Sequence, residues 1–139
     1  MDRYLLDTNI LVFLITDKTN DEICFEVREI LKDFGSRLYA SPVSIIERQQ
    51  LQRIGKVHFR KNIKADDLVN ILENDFYVSI LPFTKQHSGT LLRLTVFHND
   101  PSDHAIISHA ITEKMTMVSS DKKFQEYTNQ KLKFIYNKR

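Results

Sequence analysis

Four acidic residues, Asp7, Glu47, Asp103 and Asp121, have the type and the spacing to share one site. Asp7 interrupts the apolar run RYLLDTNILVFLI, where burying a carboxylate costs several kcal/mol unless something compensates it. Glu47 lies in SPVSIIER, Asp103 in NDPSDHAIISHA and Asp121 in MVSSDKKF. Carboxylates gathered within about 4–6 Å repel one another unless protonated or neutralised. No Lys or Arg adjoins Asp7 or Glu47 on the inward side of the pattern. The expected neutraliser is therefore a hard divalent cation with oxygen ligands, Mg²⁺ or Mn²⁺. Zinc is disfavoured, because His98, His104 and His109 lack an (i, i+4) pair and have no Cys nearby.

Convergence of four acids this far apart requires a particular frame. Short β-rich runs alternate with helical patterns along the chain. RYLLD (3–7) reads as a strand and TNILVFLIT as a helix directly after it. The stretch 20–35 has a helical apolar period, with Gly35 as its stop. RLYAS (37–41) is a second strand, followed by a helix to about Arg53 with Ser41 as N-cap and Pro42 at its first position. Helices are expected over 65–76, 84–97 and 101–114, and strands over 77–82, 115–120 and 131–136. DKKFQEY starts a short helix. This alternation predicts an α/β fold of three layers, with a central, mostly parallel sheet of about five strands. In such a sheet Asp7, Glu47, Asp103 and Asp121 all fall near the carboxyl edge, where ligand crevices form.

The 139 residues point to a single domain spanning 1–139, and 42% hydrophobic residues supply a core without disulfides. The net charge of +2 does not by itself argue for nucleic acid. Basic residues do concentrate at 53–64 and 131–139. The lone Cys24 reads as a small core residue, and Phe13, Phe25, Leu31 and Phe34 at helical spacing read as core. ILVFLI is far short of the about 20 residues a membrane span needs, and no signal peptide is apparent, so a cytoplasmic location without membrane contact is expected.

LLDTNI, Glu47 in its helix start, DPSDHAIISHA, and VSSD before a basic-aromatic stretch together resemble the PIN-domain ribonucleases. The resemblance is strongest to the VapC-type toxins of bacterial toxin–antitoxin pairs, and it covers the whole chain. It implies that Asp7, Glu47, Asp103 and Asp121 form the catalytic, metal-binding set. It also implies supporting roles for Thr8, Asn9, Asp100 and Ser119, a Mg²⁺ or Mn²⁺ cofactor, a cognate antitoxin and a homodimer. His104 stands where these toxins usually carry Arg, and Ser119 where they usually carry Thr.

The implied chemistry is hydrolysis of RNA phosphodiesters at a divalent cation. Arg48, Lys56, Arg60, Lys61, Lys122 and Lys123 are candidates to hold the RNA backbone. Each acid also has an ordinary explanation. Asp7 could cap a helix, Asp100 and Asp103 could pair around Pro101 as a cap, Asp121 could sit beside a helix dipole, and Glu47 could face solvent. Competing classes are a non-catalytic PIN-like module that binds RNA or a protein, and a phosphotransfer domain. The latter lacks the second acid it would need beside the first strand.

Overall fold

The computed structural model describes residues 2–16, 22–53 and 65–138, the side chains of 16, 48–53 and 65–67 excepted. Strand β1 (Arg3–Leu6) runs into helix α1 (Thr8–Thr16), followed by α2 (Phe25–Lys32), β2 (Arg37–Ala40), α3 (Pro42–Arg53) and α4 (Ala65–Asp75). Then come β3 (Val78–Ile80), α5 (Lys85–Arg93), α6 (Pro101–Glu113), β4 (Thr116–Ser119), a 3₁₀ helix η1 (Lys122–Gln130) and β5 (Lys133–Tyr136).

The five strands form one sheet in the order β3-β2-β1-β4-β5. Every pairing is parallel, so the sheet is wholly rather than mostly parallel. The period of two along each strand sends neighbouring side chains to opposite faces. Leu6 and Val118 join a core with Ile10, Val27, Leu68 and Leu72 under α1, α2 and α4. Leu5 and Met117 join a second core with Ile106, Ala110, Phe124 and Tyr127 under α6 and η1. Two apolar faces, each covered by helices, make the three layers.

Chain order reverses direction across the sheet at β1. The chain moves from β1 outward to β2 and β3, then returns to lay β4 on the other side. A crevice opens at such a switch point because the flanking helices diverge there. The Asp7 amide donates to the Val118 carbonyl at 2.9 Å, fixing the tip of β1 beside that of β4 at this crevice.

Several expectations need correction. The helix expected over 84–97 ends at Arg93, where the Leu94 amide bonds the Leu91 carbonyl and the backbone turns extended. The helix expected over 20–35 is confined, among the described residues, to Phe25–Lys32. Phe25 and Phe34 are exposed rather than in the core, because Phe25 opens α2 off the face that buries Val27 and Phe34 lies beyond the helix end. Cys24 is half-buried at the α2 N-cap position, packed against the first core rather than within it. Phe13 and Leu31 do pack against that core. Ser41 and Pro42 open α3 as expected, with the Val43 amide donating to Ser41 Oγ at 3.2 Å.

Candidate active site

Asp7 follows β1 directly and is 5% exposed. Its Oδ1 accepts the Thr8 amide at 2.8 Å, and its Oδ2 accepts Ser119 Oγ at 2.7 Å and Asn9 Nδ2 at 3.3 Å. An N-cap carboxylate bonds amides two or three residues on. Asp7 instead gathers groups from two strand tips, so the plain capping explanation does not account for it. Burial pushes its carboxyl up to about 7; Ser119 and Thr8 oppose the rise, while Asp103 and Glu47 add to it.

Thr8 links the first acid to the second. Its Oγ1 donates to Glu47 Oε1 at 3.0 Å, across α1 and α3. Glu47 is half-buried, and burial raises its carboxyl pKa against the pull of the Thr8 hydroxyl. It is no solvated helix-face residue.

Asp100 and Asp103 arrive together at the start of α6. Asp100 is its N-cap, accepting the Ser102 amide at 3.0 Å and the Asp103 amide at 3.4 Å through Oδ1. Pro101 occupies the first helical position, where a missing N–H costs nothing. Burial alone would raise the Asp100 carboxyl, but the Asp103 and Ser102 amides and Lys123 hold it below its ordinary value. Asp103 is 5% exposed, and burial lifts its carboxyl although Lys123 opposes the shift.

Asp121 ends the β4 turn and caps η1, accepting the Lys123 amide at 3.0 Å. Its own amide donates to Ser119 Oγ at 3.0 Å, so Ser119 couples Asp121 to Asp7. Asn9 spans the same gap, accepting the Ser120 amide at 3.2 Å. One cavity of ≈ 280 Å³ is lined by Asp7, Glu47, Asp100, Asp103 and Asp121, with Thr8, Asn9 and Lys123. Ser119 lies behind this wall, fully buried.

The sequence pattern places no cation inside the cluster, and here the structure differs. Lys123 reaches in from η1, its Nζ 2.5 Å from Asp103 Oδ2 and 3.0 Å from Asp121 Oδ2. Burial would lower the pKa of this ammonium, but Asp103 and Asp121 hold it well above the ordinary lysine value. Among the described residues no three acidic, imidazole or thiol groups already surround one point in metal-holding geometry. Lys123 is the stand-in cation between two of the acids. The donor set itself is hard, anionic oxygen, which fits Mg²⁺ or Mn²⁺ and not a soft metal.

Two residues absent from the acid pattern also reach the site. His98 Nε2 lies 3.1 Å from Asp103 Oδ2, and His98 Nδ1 lies 2.8 Å from the hydroxyl of buried Tyr127. No spacing rule assigns them to this site: His98 follows the stretch expected as helix and reads only as a disfavoured zinc candidate, and Tyr127 sits in the second core. Of the basic candidates, Lys122 is exposed with its ammonium 5.5 Å from the Tyr136 ring centroid, at the same edge as Asp121. The Arg48 side chain and residues Lys56, Arg60 and Lys61 lie outside the described residues.

Comparison with known proteins agrees with this fold. No curated protein sequence matches the chain significantly. Among solved structures, VapBC2 from Rickettsia felis bound to a DNA fragment from its promoter superposes with a TM-score of 0.70 at 23% identity, covering 96% of this chain and 98% of that one. VapBC-1 from nontypeable Haemophilus influenzae gives 0.65 at 17% identity, over 99% of both chains. DNA-bound VapBC from Salmonella typhimurium gives 0.62 at 16% identity, over 98% of both. These likenesses establish a shared fold. The sequence model of the PIN domain matches residues 4–130, nearly the whole length, and the chain therefore belongs to the PIN domain family.

Proposed function

We propose that this chain is a single-domain, Mg²⁺- or Mn²⁺-dependent endoribonuclease and the toxin of a type II toxin–antitoxin pair. The observation that carries the reading is the meeting of Asp7, Glu47, Asp103 and Asp121 on one cavity wall at the sheet's switch point. When bound there, a divalent cation would lower the pKa of a water and offset charge on the phosphoryl group.

The chain's own residues divide the remaining work. Asp7, Asp103 and Asp121 would supply the anionic oxygens that hold the cation. Thr8, Asn9 and Ser119 orient Asp7 through the bonds described above, and Thr8 orients Glu47. Glu47 sits at the cavity with a raised pKa, suited to taking the proton of an attacking water at a carboxylate oxygen. Lys122 stands at the rim to engage RNA phosphates, and Lys123 could do so once drawn off Asp103 and Asp121, with Arg48, Lys56, Arg60 and Lys61 as further candidates. Single-stranded loops are the expected RNA class, because their backbone can be splayed into such a crevice.

The solved neighbours named as VapBC are toxin–antitoxin complexes by their names, which supports a cognate antitoxin for this chain. A homodimer of the toxin is part of the same proposal. Among the described residues no helix is long and apolar enough to cross a membrane, in keeping with a cytoplasmic protein.

The second reading is a non-catalytic PIN-like module that binds RNA or a protein. The Lys123 bridge favours it, since an ammonium already offsets two of the acids. One experiment separates the two. Labelled RNA is incubated with the protein and Mn²⁺, with and without EDTA, beside the Asp7→Asn variant. The nuclease reading expects cleavage that EDTA and the substitution each abolish. RNA retention without cleavage would establish the binding module, and cleavage that survives EDTA or Asp7→Asn would overturn the mechanism.

A further inference from the structure

We propose that His98 is a positioning residue for Asp103, with its ring set by Tyr127 and its backbone anchored by His104. This deepens the nuclease reading and rests on it for its consequence, though not for its geometry.

The starting point is the Tyr127 phenol, which is 0% exposed in the second core. Its oxygen accepts the Phe97 amide at 2.8 Å. Its own proton faces His98 Nδ1 at 2.8 Å. A buried hydroxyl that already accepts an amide finds its second bond by donating. In the neutral ring the single proton then sits on Nε2, the nitrogen 3.1 Å from Asp103 Oδ2. The direction of the whole chain follows: Phe97 N–H to Tyr127 oxygen, Tyr127 O–H to His98 Nδ1, His98 Nε2–H to Asp103.

The backbone under the ring is fixed as well. His104 Nε2 donates to the His98 carbonyl at 2.6 Å, and the two rings meet nearly edge-on with centroids 5.0 Å apart. His104, the residue that departs from the usual Arg, thus ties the loop before α6 to α6 itself. The early end of α5 at Arg93 frees residues 94–100 to make this approach.

Asp103 Oδ2 has a second partner, the Lys123 ammonium, but that side chain is one-third exposed and can be drawn off by a phosphate or a cation. His98 is held at three points and stays. Outer groups that orient a metal-binding side chain typically matter about 10- to 100-fold in affinity or rate.

Two readouts test this on the full-length chain. The first is a long-range ¹⁵N–¹H correlation spectrum of the histidine rings in metal-free protein. It is expected to show His98 protonated at Nε2, and Tyr127→Phe, which keeps the ring volume, is expected to give mixed tautomers. A wild-type His98 protonated at Nδ1, or a Tyr127→Phe spectrum identical to wild type in a variant that melts cooperatively, overturns the proposal. The second compares His98→Ala with His98→Gln, whose amide can replace the Nε2–H donor. Mn²⁺ binding by calorimetry and RNA cleavage should each weaken about tenfold or more in His98→Ala, with KM little changed, and recover in His98→Gln. Full affinity and rate in His98→Ala overturn the role. Should the wild-type chain cut no RNA, the nuclease reading fails, while the ring spectra still decide the positioning chain.

Discussion

Two clusters of buried polar side chains, built at comparable depth, behave differently. At the carboxyl rim, Asp7 and Asp103 are each 5% exposed and open onto a cavity shared with Glu47, Asp100 and Asp121. Between α5 and α6, His87 and His109 are also buried, their rings tilted against each other with centroids 4.1 Å apart beside Phe83. His87 Nδ1 accepts the Thr84 amide at 2.8 Å and so caps α5, and His87 Nε2 faces Glu113 at 3.4 Å. His109 has neither ring nitrogen hydrogen-bonded, and burial, with His87 adding to it, pushes its pKa down to about 4. His109 avoids charge by staying neutral. The first cluster accumulates like charge and offers it to solvent. Burial alone thus says little about function; burial combined with crowded charge and an opening is the informative combination.

The comparison can be broken most sharply at Asp7. Asp7→Asn should reduce Mn²⁺-dependent RNA cleavage by at least about a hundredfold, the scale of removing one preorganised electrostatic contact. Cleavage within threefold of wild type would remove Asp7 from the site.

The next largest effect is on stability. Between pH 3.8 and about 7 the folded chain keeps a proton on Asp7 that the unfolded chain has released. Metal-free stability should therefore fall as pH rises through that window, by up to about 4 kcal/mol, and level off above it. Thermal melts in EDTA from pH 4 to pH 8 measure this. Asp7→Asn should flatten the dependence, and saturating Mn²⁺ should restore stability at pH 8.

A smaller effect is expected at Lys123. Its ammonium is one-third exposed, so its competition for Asp103 and Asp121 is worth about 1 kcal/mol after screening. Lys123→Met should tighten Mn²⁺ binding about fivefold by calorimetry, and weaker binding would show that Lys123 helps rather than competes.

The smallest effect belongs to the histidine cluster. His109→Leu removes two unsatisfied nitrogens and should stabilise the chain by about 1 kcal/mol or less, part of the gain offset by lost ring contacts. RNA cleavage should be unchanged. A loss of activity would place this cluster in the functional machinery and dissolve the contrast.

Much of this was legible before the fold was seen. The four acids could be read because β-rich runs and helices alternate, and a parallel sheet sends every strand end to one rim. Ser41-Pro42 and Asp100-Pro101 announce their helices through capping chemistry local in sequence. What was hidden depends on contacts distant in sequence. Lys123 looked like a rim cation because nothing local says its ammonium folds back onto Asp103, twenty residues earlier. His98 was unreadable for a related reason. LLRLTVF carries a helical apolar pattern, but the helix ends at Arg93, and the Tyr127 hydroxyl taking the Phe97 amide holds the chain beyond it that carries His98 to the site.

The order of strands has a consequence for synthesis. The tips of β1 and β4 are neighbours, yet 112 residues separate Asp7 from its partner Ser119. A chain still emerging from the ribosome carries Asp7 and Glu47 long before β4 exists to hold them. Such non-local pairing forms late in folding. A nascent chain therefore carries no assembled acid site, and any fragment ending before Ser119 lacks both the clamp on Asp7 and the last acid.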